Sequence, residues 1–267
     1  MAIPPPRSSR LSQFLRCFLA VLLTCLVPSW ATAQTLVAVA SNVKSAAEDI
    51  AAAFEQSSGQ SVRLSFGSSG NFFRQIQQGA PYQLFLSADE DFVRQLAAAG
   101  LSTDPGVVYA VGRLAIVVPN ASPVKADAEL KDLAAALRDG RLKKWAIANP
   151  ALAPYGARAR EALQHAGLWN ALQNHLVLGE NIAQATQFAL SGSTQGGIVA
   201  YSLALAPAVA KQSRFALIPQ AWHQPLTQRM VLLPQAGETA RAFYAFLQTP
   251  AAQTIFQRHG YGAPQER

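Results

Sequence analysis

The chain has 267 residues, half of them apolar and only 14% charged, which suits one or two domains with a full core. Its formal charge of +7 invites a nucleic-acid or membrane partner, but no basic block reads as a stripe along a phosphate backbone, and nucleic acid is set aside. Both cysteines, Cys17 and Cys25, fall within the first 33 residues, so a mature chain cut after them has no disulfide, thiolate or Cys-based metal chemistry.

Arg7, Arg10 and Arg16 lead into CFLAVLLTCLV and then PSWATA. A basic start, an apolar middle and the A-x-A end Ala31-Thr32-Ala33 predict a secretory signal peptide over residues 1–33, cut before Gln34. The apolar run is too short to span a bilayer comfortably. Its removal takes away three arginines and lowers the formal charge from +7 to +4. A competing reading makes LLTC at 22–25 a lipoprotein site with Cys25 lipidated. Thr24 is larger than the small residue such a site takes, so the expectation is an exported, soluble protein.

From Gln34 onward, short β-rich runs alternate with helical ones. TLVAVA (35–40) predicts a buried strand, and VKSAAEDIAAAFEQSSG an amphipathic helix stopped at Gly59. SVRLSF (61–66) and NFFRQIQQG repeat the pair, as do YQLFLSA (82–88) and DEDFVRQLAAAG, whose Asp89 is placed to cap its helix. RLAIVVP (113–119) is a long apolar strand followed by a break at Pro119, Asn120 and Pro123. A second set follows: KKWAIANP, the helix GARAREALQHAGLWNAL, and the strand, turn and helix of HLVLGENIAQATQFALSG. TQGGIVAYSLAL and RFALIP read as strands, QRMVLLP (228–234) as another, and the tail as one or two helices. The fold class is α/β, with two lobes, each a mainly parallel sheet flanked by helices. The chain crosses near 113–120 and again near 220–228, giving residues 34–114 plus 226–267 to one lobe and 115–225 to the other.

Loops at the carboxyl ends of the predicted strands share one character. Ser41-Asn42 follows TLVAVA, Gly67-Ser68-Ser69-Gly70 follows SVRLSF, Pro154-Tyr155-Gly156 comes after KKWAIA, and Glu180-Asn181-Ile182 follows HLVLG. Ligands of open parallel sheets sit at such strand ends, where helices begin. Free N–H groups and the positive dipole end of a helix make an anion site there, and Ser, Asn and Tyr side chains add neutral donors. Taken singly, Ser41-Asn42 is an ordinary N-cap, Ser68-Ser69 a capped turn and Tyr155 a turn aromatic; their recurrence favours a ligand. Catalysis fares worse. Ser68 and Ser69 stand outside any G-x-S-x-G, the four histidines are scattered, no zinc spacing occurs, and no phosphate-loop or dinucleotide glycine fingerprint is present. No enzymatic role and no cofactor are expected.

The stretches VAVASNVKSAAEDIAAAFEQ, SFGSSGNFFRQIQQGAPYQLFLSADE, NPALAPYGARAREAL, LGENIAQA, GGIVAYS and AFYAFLQTPAAQTIFQRHGYG cover nearly the whole mature chain. In them the sequence resembles periplasmic molybdate-binding proteins, the soluble receptors of ABC importers. The resemblance implies a type II periplasmic-binding-protein fold whose lobes close on one tetrahedral oxyanion, molybdate or tungstate, for delivery to a membrane permease by a monomer. By position it points to Ser41 or Asn42 for the first contact, Ser69 or Ser68 for the second, and Tyr155 with the backbone around Ile182 from the other lobe. Asn42, Ser69, Tyr155 and Ile182 are the favoured set. Some members place a ligand tyrosine directly after G-I-V; here Ala200 stands there and Tyr201 follows, so Tyr201 is kept as a further candidate. A cradle made only of donors suits a fully deprotonated dianion, because a protonated oxygen needs an acceptor. Another oxyanion such as sulfate, or a small organic anion, is the alternative ligand, and a periplasmic serine hydrolase the alternative class.

Overall fold

The computed structural model describes Met1 and residues 34–264. The signal peptide assigned to residues 1–33, with Cys17 and Cys25, otherwise lies outside the described residues.

Strand β1 (Thr35–Ala40) passes through a helical turn, Ser41–Val43, into helix α1 (Lys44–Ser58). Ala46, Ala47, Ile50 and Phe54 recur at helical spacing and turn one face of α1 into the core. Gly59, at φ +69°, stops the helix in a conformation that side-chain-bearing residues avoid. The unit repeats as β2 (Val62–Gly67) with α2 (Ser69–Gln77), and β3 (Leu84–Leu86) with α3 (Asp91–Ala98). Strand β4 (Val107–Gly112) then leads through Arg113 into β5 (Leu114–Pro119).

The second set comprises α4 (Lys131–Arg138), β6 (Trp145–Ala148), α5 (Pro154–His165), β7 (Leu176–Gly179), α6 (Ile182–Leu190), β8 (Gly197–Ala200) and β9 (Ser213–Leu217). Strand β10 (Leu226–Leu232) and helices α7 (Glu238–Phe246) and α8 (Pro250–Arg258) close the chain. Thr249 and Pro250 split the tail into two helices: Thr249 accepts the N–H of Ala252, and Pro250 has no N–H to continue a helix.

The strands form two five-stranded sheets, ordered β2-β1-β3-β10-β4 and β7-β6-β8-β5-β9. β1 runs parallel to β2 and β3, and β6 parallel to β7 and β8. β10 is antiparallel to both its neighbours, as is β5 to both of its own. Each sheet thus has four strands pointing one way and one pointing back, and the reversed strand is the one that arrives from the other sheet. The chain changes sheets at Arg113 and again between Leu217 and Leu226. Leu114, assigned from the sequence to the first lobe, pairs with Ala200 and belongs to the second.

Two further elements differ from the sequence reading. TQGGIVAYSLAL is a strand only over Gly197–Ala200; Tyr201–Ala204 is already helical, and the Tyr201 N–H makes the last bond toward β5, to Arg113 O. Strand β4 and helix α4 have no counterpart in the sequence reading. Leu133 and Ala136 of α4 are fully buried in the second core, which also holds all of β6. In the first lobe, Phe54 packs its ring 5.2 Å from Phe243 and 5.5 Å from Phe246, tying α1 to α7 over one face of the sheet. Phe72, Ile76, Val93 and Leu96 from α2 and α3 cover the other face.

Candidate functional site

Four chain segments leave strand ends and enter helices toward one point between the sheets. They carry Ser41 and Asn42 after β1, Ser68 and Ser69 after β2, Tyr155 near the start of α5, and Ile182 at the start of α6. These six residues line one small cleft, and every other lining residue is Ala, Gly or Pro. All six are at most 4% exposed. No Lys, Arg, Asp or Glu reaches the lining.

Local chemistry explains the geometry. Ser68 is extended (φ −82°, ψ 144°) and caps α2 by accepting the Asn71 N–H at its Oγ. Asn181 caps α6 in the same way, its Oδ1 accepting from Gln184 N–H at 3.0 Å. α5 starts at Pro154, whose fixed φ and missing N–H suit a first helical position. First-turn N–H groups have no acceptor inside their own helix. Several are nonetheless answered: Gly70 N–H by Leu152 O at 2.9 Å, Ala183 N–H by Ser41 Oγ at 3.3 Å, and Gly156 and Ala157 N–H by Ala153 O. Those of Asn42, Ser69, Tyr155 and Ile182 have no protein acceptor among the described residues. Ser69 Oγ accepts from Ala88 N–H at 3.0 Å, which leaves its own proton to donate.

The lobes touch across this cleft. Besides Gly70 to Leu152, Ser41 Oγ donates to Asn181 Oδ1 at 3.2 Å, and Asn71 Nδ2 donates to Glu180. Gly70 is required there: a Cβ would stand 2.7 Å from Leu152 O. The structure is therefore the closed form.

Two side chains expected to face the ligand are engaged elsewhere. The Tyr155 hydroxyl accepts from Gln228 Nε2 at 3.2 Å, while its N–H has no protein acceptor among the described residues. Asn42 Nδ2 donates to Gln228 Oε1 at 2.9 Å and to Tyr261 Oη at 3.1 Å, so the amide also serves the region between the sheets. Tyr201 does not join the cleft. The Arg113 guanidinium lies 5.6 Å from its ring centre, and Phe215 packs against it, beside the crossing between the sheets.

Burial pushes the phenols of Tyr155, Tyr109 and Tyr261 well above their ordinary range, so they stay neutral. Asp89, one residue past the lining Ala88, is raised to about 6, chiefly by burial and against the hydrogen bonds it accepts from Ser87 Oγ and Phe92 N–H. Its Oδ1 accepts both bonds, and no carboxylate of the described residues lines the cleft. Sequence reasoning missed Gln228, Tyr109, Tyr261 and Ser202, which gather behind the cleft. A glutamine inside the apolar run QRMVLLP was the available signal.

A family model described as bacterial extracellular solute-binding protein matches residues 35–262. The molybdate-binding protein ModA of Rhodobacter capsulatus is 38% identical over 248 residues, covering 91% of this chain and 93% of that one. ModA of Azotobacter vinelandii is 36% identical over 259 residues, covering 96% and 99%. Among solved structures, the periplasmic molybdate-binding protein of Azotobacter vinelandii superposes with a TM-score of 0.78 at 31% identity, covering 87% of this chain and all of that one.

Proposed function

The chain belongs to the bacterial extracellular solute-binding proteins, and from that premise we propose that it captures molybdate, and tungstate with it, in the periplasm and hands the anion to the permease of an ABC importer. The observation that carries the reading is the convergence of four unanswered backbone N–H groups, two from each lobe, on a small cleft without a charged side chain. Helix N-termini hold a buried anion through partial charges and hydrogen bonds, with no need for Arg or Lys. The relatives named above as molybdate-binding proteins support the choice of anion.

The site residues follow. Asn42, Ser69, Tyr155 and Ile182 donate their N–H groups and Ser69 its hydroxyl. Ser41 and Ser68 hold the two first-lobe loops in place, Ser41 through its bonds to Asn181 and Ala183. The protein acts as a binder, a monomer without cofactor, released by cleavage before Gln34. Calorimetric titration of residues 34–267 with molybdate, tungstate and sulfate tests this. Tight one-to-one binding of the first two with sulfate inert is the expected result. Equal binding of sulfate would keep the anion site and remove molybdate, and no heat from any of the three would end the proposal.

A further inference from the structure

Behind the cleft lies a buried polar cluster that joins the lobes. Asn42, Tyr109, Gln228 and Tyr261 come from the first lobe, Tyr155 and Ser202 from the second. Both Asn42 Nδ2 protons are used, on Gln228 Oε1 and Tyr261 Oη. The Tyr109 hydroxyl is shared between Gln228 Oε1 at 2.8 Å and Ser87 O at 2.9 Å. The Tyr261 hydroxyl reaches Asn42 O at 2.7 Å, and the Ser202 hydroxyl reaches the same carbonyl at 3.0 Å. Gln228 Nε2 donates to Tyr155 Oη.

Asn42 Oδ1 is buried without a hydrogen-bond partner among the described residues, and the Tyr155 hydroxyl, which accepts from Gln228 Nε2, has its own proton still to give. Gly112, the last residue before the crossing at Arg113, makes room for the phenol: a Cβ there would lie 2.2 Å from Tyr155 Oη and 2.6 Å from Gln228 Nε2.

We propose that the Tyr155 hydroxyl, accepting from Gln228 Nε2 in the recess above Gly112, is a latch between the lobes, and that Gln228 is a positioning residue for anion capture. Asn42 and Tyr155 then meet twice. Their N–H groups share the anion, and their side chains are joined behind it through the two ends of the Gln228 amide. Opening the lobes withdraws the phenol from the Gly112 recess and takes the acceptor from Gln228 Nε2, so the latch holds the closed form and slows release. The latch rests on the oxyanion reading for its probe, not for its geometry.

The test measures molybdate association and release by stopped-flow fluorescence in Tyr155→Phe, Gln228→Met and the double variant. Gln228→Met keeps the volume, and it spares partners for the groups it abandons, because Asn42 Nδ2 retains Tyr261 and Tyr109 Oη retains Ser87 O at 2.9 Å. Both single variants are expected to release molybdate roughly tenfold faster, the worth of one lost bond to a buried group. Association should be unchanged, and the double variant should be little worse than either single one. Wild-type release from either variant, with ligand-free melting within a few degrees of wild type, would overturn the latch. So would an effect confined to Tyr155→Phe and accompanied by a changed molybdate-to-sulfate preference, since the phenol would then touch the anion. The wild-type titration reports on the anion; the ratio of variant to wild type reports on the latch alone.

Discussion

The cleft and the hinge cluster share Asn42 and Tyr155, and both are buried and polar, yet their hydrogen-bond inventories are opposite. The cleft has donors in excess: four backbone N–H groups and the Ser69 hydroxyl, with no acceptor aimed at them. The hinge cluster holds donors and acceptors together, its amides, hydroxyls and carbonyl taking and giving bonds, with Asn42 Oδ1 buried and unpartnered among the described residues. An excess of buried donors is costly in an empty protein and is relieved by an anion with no proton of its own. A cluster that holds donors and acceptors together is stable empty, and it serves to fix geometry. The difference teaches that capture is divided between two regions, for the cleft chooses the ligand and the hinge sets how firmly the lobes stay shut.

Substitutions break this division in a graded way. Gly70→Ala should have the largest effect, because its Cβ would strike Leu152 O and block closure rather than remove a contact. Anion affinity is expected to fall by about 2–3 kcal/mol, the scale of overpacking, with ligand-free melting little changed; calorimetry beside thermal denaturation checks it.

Asp89→Asn sharpens the boundary between the neutral cleft and the charges kept outside it. Burial raises the Asp89 carboxyl from 3.8 to about 6. The folded state therefore holds a proton that the unfolded state has lost between these values, and stability from this group is present at low pH and declines as pH rises from about 4 to 6. At neutral pH the ionised, buried form costs on the order of 3 kcal/mol. Asparagine can accept the same bonds from Ser87 and Phe92, so the variant should melt higher at pH 7 and show a flatter pH dependence of melting between pH 4 and 6.

Ser69→Ala removes one donor to the cleft, along with the acceptor of the Ala88 N–H, and should weaken molybdate binding by about 1–2 kcal/mol without affecting the hinge, so the effects of this variant and of Gln228→Met on release should add when combined. The smallest effect is that of salt. With no charged side chain in the lining, molybdate affinity should change less than about threefold between roughly 50 and 500 mM sodium chloride. A steep dependence would place a cation at the anion.

Much of the fold was legible because it is local. Strand-then-helix alternation marks β1 to α3 without any tertiary knowledge, and Ser, Asn, Pro and Gly at strand ends announce helix starts. The loops of the site could be read for the same reason, since N-capping residues lie within a few positions of the N–H groups they organise. Strand β4 escaped because VVYAVG has neither a clean alternation nor a turn signal, and α4 because DLAAAL is too short to show a period. The hinge cluster could not be read at all. Asn42 and Tyr261 are 219 positions apart, Tyr155 and Gln228 73, and no spacing rule links them. That distance also explains why the sequence reading points the Tyr155 and Asn42 side chains at a ligand: both residues line the cleft, and only the assembled sheets show the bonds their side chains make.

The central claim is that the anion is held by the backbone N–H groups of Asn42, Ser69, Tyr155 and Ile182. Amide proton and nitrogen shifts of residues 34–267, recorded before and after one equivalent of molybdate, test it most directly. The account predicts large downfield proton shifts at these four amides, and slowed exchange with solvent. Saturation of binding with these four unmoved, or with the largest changes at side-chain cations elsewhere, would contradict it.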